Sequence, residues 1–320
     1  MELNKIICGD ALTELKKLPD NSIDCCISSP PYWGLRDYGV DGQIGLEENY
    51  SEFIAKLIEL YIEIQRVLKP TGTCFVNLGD TYAGSGSGTT KNADTSKYVE
   101  NSKQVYVLPN GTAKASKFRG TNLNKSLLMI PERFAIGMID AGWILRNQII
   151  WHKPNQMPSS ATDRFTVDFE KIFFFVKQST GYYFEQQLEP YTKPLDRWGG
   201  DDLEANGNST WDNGTGQTTY RNRNMRPNPD GRNMRTVWSI NTEPFPEAHF
   251  ATYPEKLVKR MIEAGCPENG LVLDPFMGAG TTAVVARKLN RNYLGIELNP
   301  EYVKIAERRL YIELGMFKDS

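Results

Sequence analysis

The stretch that most restricts the fold lies near the end of the chain. An apolar strand-like triplet, Leu271-Val272-Leu273, runs without interruption into Asp274-Pro275-Phe276-Met277-Gly278-Ala279-Gly280-Thr281-Thr282, and a helix through Leu289 follows. Strand, glycine turn and helix form half of a βαβ unit. Such units build open, mostly parallel sheets whose ligands sit beyond the carboxyl ends of the strands. The glycines let backbone approach a ligand and turn tightly into the helix. No Lys-Ser or Lys-Thr follows the last glycine, so this is not a phosphate loop, and the third glycine of the dinucleotide fingerprint is missing. Asp274 would repel a pyrophosphate but suits the ammonium of an amino acid. Glu297 closes the next strand, 293–296, where it is placed to take a ribose diol. A ligand carrying both groups is S-adenosylmethionine.

A second corner lies near the other end. Ile23-Asp24-Cys25-Cys26-Ile27-Ser28 reads as a buried strand, and Ser29-Pro30-Pro31-Tyr32 follows it. Two prolines fix φ at both positions, remove two N–H donors and push the preceding residue out of the helical region. The product is a stiff corner at a strand's carboxyl end, with a hydroxyl before it and a ring after it. Those four residues alone would equally describe a proline turn capping a strand.

Between these corners the periodicity alternates between strand and helix. Lys5-Ile6-Ile7-Cys8 is a short strand ending in Gly9-Asp10, followed by a helix over 11–18. Ser51 is expected to cap a helix through Leu68, stopped by Lys69-Pro70-Thr71-Gly72, and 73–78 is a strand ending in Gly79-Asp80. A helix is expected over 127–141, with Pro131 marking its true start, then strands over 144–151 and 171–176. Glu255 to Ala264 is a helix closed by Gly265. Asn299 caps, and Pro300 starts, the terminal helix. Two polar stretches interrupt this order. Residues 83–124 form a Gly/Ser/Asn-rich loop in which lysines, with Lys117 and Arg119 among the basic residues, outnumber acids. Residues 186–245 lose periodicity and interleave Arg221, Arg223, Arg226, Arg232 and Arg235 with asparagines. Arginine and asparagine match guanine and adenine edges bidentately, although a solvated polar loop would carry the same residues.

Composition removes several classes. A net charge of -2 excludes a molecule that is basic overall, so nucleic acid must be met by local patches. Five cysteines without CxxC pairs and only two histidines, His152 and His249, offer no metal site. They read as reduced, buried thiols of a cytoplasmic protein. No uncharged apolar run is long enough for a membrane span, and Met1-Glu2-Leu3-Asn4-Lys5 leads straight into a strand, so no signal peptide is expected.

With both corners in hand, the sequence resembles the DNA amino-methyltransferases, which methylate the exocyclic nitrogen of cytosine or adenine. Ser29-Pro30-Pro31-Tyr32 is similar to their catalytic motif, Asp274–Thr282 to their methionine-binding motif, Gly295-Ile296-Glu297 to their ribose motif, and Gly9-Asp10 to their adenine-side acid. Residues 250–257 look like the segment preceding the cofactor strand. The resemblance implies an α/β, Rossmann-like methyltransferase fold: a seven-stranded mixed sheet with helices on both faces, the permuted motif order of the beta group, and polar target-recognition insertions. It divides the chain into a catalytic half at 1–185, a target-recognition region at 186–246 and a cofactor-binding part at 247–320. It implies cofactor contacts at Asp10, Phe250, Ala251, Thr252, Asp274, Pro275, Phe276, Gly278, Gly280, Thr281, Thr282 and Glu297. DNA contacts are expected at Lys117, Arg119 and the five arginines above. The implied partner is double-stranded DNA in a prokaryotic or phage setting; a second copy of the chain and a cognate restriction endonuclease are further candidates.

In that reading Ser29 Oγ and the Pro30 carbonyl accept from the amine, and Tyr32 stacks on a base turned out of the duplex. Trp151 is either an outer wall of that slot or part of the core. Neutral serine suits N4 of cytosine, with N6 of adenine as the alternative. A nicotinamide-dependent oxidoreductase is opposed by Asp274, and a non-catalytic DNA-binding module leaves both corners without a purpose.

Overall fold

The computed structural model describes residues 2–35, 39–84, 123–191, 228, 230–243 and 253–315. The chain forms two compact units, one of residues 1–185 with 236–320, the other of residues 186–235.

The larger unit is built on β1 (Lys5–Cys8), α1 (Ala11–Leu15), β2 (Ile23–Ser28), α2 (Tyr50–Val67), β3 (Leu68–Leu78), α3 (Ile130–Asp140), β4 (Ile144–His152) and β5 (Phe169–Val176). Within the smaller unit β6 (Leu188–Glu189) pairs antiparallel with β7 (Arg232–Asn233). The larger unit then resumes with β8 (Val237–Ser239), α4 (Glu255–Gly265), β9 (Leu271–Asp274), α5 (Thr281–Lys288), β10 (Asn292–Glu297) and α6 (Pro300–Glu313). Its sheet runs β1-β10-β9-β2-β3-β5-β4-β8, every neighbour pair parallel except those made by β5. The sheet thus has eight strands rather than seven. The extra strand, β8, is three residues long with one buried side chain, too short to show a period.

Alternation along the strands fixes the two faces. On β3, Cys74 and Val76 join Phe173, Phe175, Tyr61 and Phe134 in one core beneath α1, α2 and α3. Thr73 and Phe75 face the other way: Thr73 Oγ1 donates to the Gly265 carbonyl at 2.8 Å, and Phe75 stacks on Phe174 with ring centroids 4.6 Å apart. Asp24 is buried on β2, accepts from Lys69 Nζ at 2.8 Å and takes the Leu271 N–H at 2.9 Å. It ties the starts of three neighbouring strands.

Several boundaries move. Asn49, not Ser51, caps α2, accepting the Glu52 N–H at 2.9 Å. Residues 69–72 do not form a separate turn; β3 begins directly at Leu68 and carries them. Pro131 does open α3, in its first turn. Asn299 caps α6 through the Glu301 N–H at 2.9 Å. All five cysteines are free, but Cys8 is exposed, because β1 is an edge strand with little packed over its last residue. Trp151 belongs to the core: it is 3% exposed and its indole N–H donates to the Ile240 carbonyl at 2.8 Å. No described helix is long and apolar enough to cross a membrane.

Candidate active site

Both corners open onto one cavity of about 150 Å3 at the carboxyl end of the parallel strands. Ser29 and Pro31 reach it from the end of β2, Gly9 and Asp10 from β1, Pro275 to Ala279 from the turn after β9, and Glu297 from β10. Thr281 and Tyr302 line it from α5 and α6, and residues Val40 and Gly42 to Ile44 add a further wall. Residues 250 positions apart in sequence therefore share a surface because β2 and β9 are hydrogen-bonded neighbours.

On the cofactor side, Gly280 has φ +81°, and a Cβ there would lie 2.9 Å from Ala306 Cβ, so only glycine lets α5 start this close to α6. Asp274 is not on the cavity wall but directly behind it, with 0% exposure. Its Oδ1 takes the Phe276 N–H at 3.0 Å, and its Oδ2 takes the hydroxyls of Thr282 at 2.5 Å and Tyr253 at 2.8 Å. Burial pushes its carboxyl up to about 6, against the downward pull of those three donors. Thr282 and Gly280 likewise stand behind the wall, whereas Tyr253 lines it. Glu297 accepts the Gly278 N–H and the Asn299 N–H, each at 2.8 Å, and burial raises its carboxyl. Asp10 caps α1 through the Thr13 N–H at 2.9 Å while lining the cavity.

On the catalytic side, the Tyr32 ring lies close against Gly79, where a Cβ would sit 2.5 Å from its Cε2. Its hydroxyl donates to Glu170 Oε2 at 2.6 Å. The Asn77 amide nitrogen lies 2.8 Å from the same oxygen, 2.9 Å from Tyr32 Oη and 3.4 Å from Ser29 Oγ. Lys153 pairs with Glu170 Oε1 and lies 4.4 Å from the centroid of the Trp151 ring. Sequence reasoning missed Tyr253, Asn77, Glu170 and Lys153 as site residues. The available signal was slight: Asn77 is polar between Val76 and Leu78, and Glu170 stands beside Lys171 ahead of an apolar run.

Arg232 and Arg235 both donate to Glu189 Oε1, at 2.9 and 2.6 Å, inside the smaller unit. Lys117, Arg119, Arg221, Arg223, Arg226, Phe250, Ala251 and Thr252 lie outside the described residues.

An open α/β sheet that brings an acid-bearing glycine turn onto one cavity with Ser29 and Pro31 has the layout of the methyltransferase fold. The sequence profile of the N6/N4 DNA methylase family matches residues 23–308, and the chain belongs to that family. It is a DNA methyltransferase. The type II methyltransferase M.Cfr9I of Citrobacter freundii is 39% identical over 305 residues, covering 94% of this chain and 86% of that protein. The type II methyltransferase M.SmaI of Serratia marcescens is 38% identical over 307 residues, covering 96% and 90%. Among solved structures, the cytosine-N4-specific PvuII DNA methyltransferase superposes with a TM-score of 0.59 at 19% identity, over 99% of this chain and 87% of that one. The Thermus thermophilus protein TTHA0409, complexed with S-adenosyl-L-methionine, gives 0.58 at 22% identity, over 98% and 95%. These last two likenesses concern the fold.

Proposed function

We propose that this chain transfers a methyl group from S-adenosylmethionine to the N4 amine of cytosine in duplex DNA. The observation that carries the reading is that Ser29 and the Pro275–Ala279 turn line one cavity, so amine acceptor and methyl donor meet there. The residues fit the cofactor. Glu297 still has lone pairs for a ribose diol, Asp274 supplies negative charge behind Tyr253 for the ammonium, and Asp10 stands on the far side for the adenine. Bound there, S-adenosylmethionine would supply an electrophilic methyl group on a sulfonium.

The chain's own residues prepare the nucleophile. An exocyclic amine is weakly nucleophilic because its lone pair is delocalised into the ring. The Ser29 hydroxyl and the Pro30 carbonyl accept its two N–H bonds, which draws the nitrogen toward tetrahedral geometry and frees the lone pair for an in-line transfer. The diproline holds those two acceptors rigid. The base must leave the duplex to reach them, and Tyr32 offers it a face to stack on. Neutral serine favours cytosine, since it offers the amine a hydroxyl acceptor without a buried negative charge.

Because the relatives above are type II methyltransferases, we place the chain as the modification member of a prokaryotic restriction–modification pair, working in the cytoplasm where the DNA is. Arg232, Arg235 and the basic residues of both insertions are its proposed DNA contacts. The test is expression in a methylation-deficient host, followed by mass spectrometry of the DNA nucleosides. N4-methylcytosine is expected, and Ser29→Ala should lose at least ~100-fold of the activity. N6-methyladenine would refute the base assignment. Full activity in Ser29→Ala with normal DNA binding would refute the chemistry.

A further inference from the structure

Beyond the two motifs, one charged residue in the sheet has no packing reason to be there. Glu170 sits at the first turn-in of β5, on the same face as Ile172 and Phe174. That row is apolar until it reaches the ligand end of the sheet, where Asn77 follows Phe75 on the same face of β3. A mostly buried carboxylate costs stability unless donors surround it. Here three donors converge from three separate elements: Tyr32 after β2, Asn77 on β3, and Lys153 after β4. In the order β2-β3-β5-β4 these are four adjacent positions, so the network crosses half of the sheet along its ligand edge.

We propose that Glu170 is a positioning residue for methyl transfer, holding the Tyr32 ring at a fixed place relative to the Ser29 hydroxyl. The inference rests on the reading of Ser29 and Tyr32 given above. Gly79 lies close against the ring, and Glu170 holds its far end through the hydroxyl, so the ring is limited at two places. Asn77 carries the tie onward, with its amide 2.9 Å from Tyr32 Oη and 3.4 Å from Ser29 Oγ. Lys153 supplies the countercharge and leaves Glu170 Oε2 for the other two donors. A base stacked on Tyr32 is thereby delivered to Ser29 at one depth and one angle. Small misplacements of reacting groups cost large factors in rate.

The experiment compares the full-length protein with Glu170→Gln, Tyr32→Phe and the double variant. Tritiated methyl transfer to unmethylated genomic DNA gives kcat and KM, calorimetry gives S-adenosylmethionine affinity, and thermal melting reports folding. Glu170→Gln is expected to lower kcat by ~10- to 100-fold while cofactor affinity stays within about twofold. Tyr32→Phe keeps the ring and loses the hydroxyl's bonds to Glu170 and Asn77, so it should reproduce part of that loss even if the glutamine variant folds poorly. Since Glu170 is proposed to act through the Tyr32 hydroxyl, the double variant should be no worse than the poorer of the two single variants. An unchanged kcat in either single variant, additive losses, or a parallel fall in cofactor affinity would overturn the proposal. Methylation of adenine by the unaltered protein would overturn only the base assignment, because the kcat comparison can be made on whichever base is modified.

Discussion

Asp274→Asn should move stability and cofactor binding in opposite directions. Asp274 has 0% exposure, and burial lifts its carboxyl from 3.8 to about 6. A shift of roughly two units is worth ~3 kcal/mol. The folded chain holds this proton more tightly than the unfolded chain does. The contribution to stability is therefore complete below about pH 4, declines as pH rises, and is gone above about pH 6. Asparagine is neutral throughout. Its Oδ1 can take the Phe276 N–H, and its amide can donate to the Thr282 and Tyr253 oxygens that now donate to the carboxylate. At pH 8 the variant should be more stable than the parent by up to ~3 kcal/mol, a margin that closes toward pH 4. Glu297, whose carboxyl burial also raises, gives a slope of the same sign; the Asp274 charge adds to that rise, so the margin carries a smaller contribution from Glu297 in the same direction. Urea unfolding from pH 5 to 8 at constant ionic strength measures the margin. Calorimetry on the same samples should find S-adenosylmethionine affinity reduced at least ~10-fold, since the charge that meets its ammonium is gone. A variant less stable than the parent at pH 8, or one whose margin does not change with pH, would refute the reasoning.

Two further outcomes follow from close contacts. Gly79→Ala puts a methyl 2.5 Å from Tyr32 Cε2, so the ring must shift; methyl transfer should fall by ~10-fold or more with cofactor affinity intact by calorimetry. Arg309, 8% exposed on α6, donates to Thr281 Oγ1 at 2.7 Å and to Glu255 Oε1 at 2.9 Å, and pairs with Glu313. Arg309→Met should cost about 2 kcal/mol, visible as a fall of several degrees in the thermal midpoint.

The two corners were legible because their signals are local. A glycine turn after an apolar run and a diproline before a ring constrain backbone directly, and the structure puts both at strand ends on one cavity. Residues whose role is made by distant neighbours were not. Asn77 and Glu170 are 93 positions apart, and nothing local joins them until β3 and β5 pair. Lys69-Pro70-Thr71-Gly72 has turn composition, yet pairing of Leu68 with Ile23 and the Lys69–Asp24 contact hold it in the strand. Tertiary context overrode local preference there. Asp274 was legible as an acid facing a ligand, while its place one layer behind the wall depended on Tyr253, a residue contributed from another segment.

The pairing of β2 with β9 also bears on how the chain is made. The Leu271 N–H bonds Asp24 across 247 residues, and Cys25 and Cys26 lie beside Val272 and Leu273. A nascent chain therefore completes β2, β3 and their helices long before the strand that covers the other edge of β2 leaves the ribosome. Throughout that interval an apolar strand with unpaired backbone groups stands open, which is the condition that invites misassociation. Closing so long a loop is slow compared with local pairing. Yield of folded protein should then depend on how quickly the last fifty residues follow the rest.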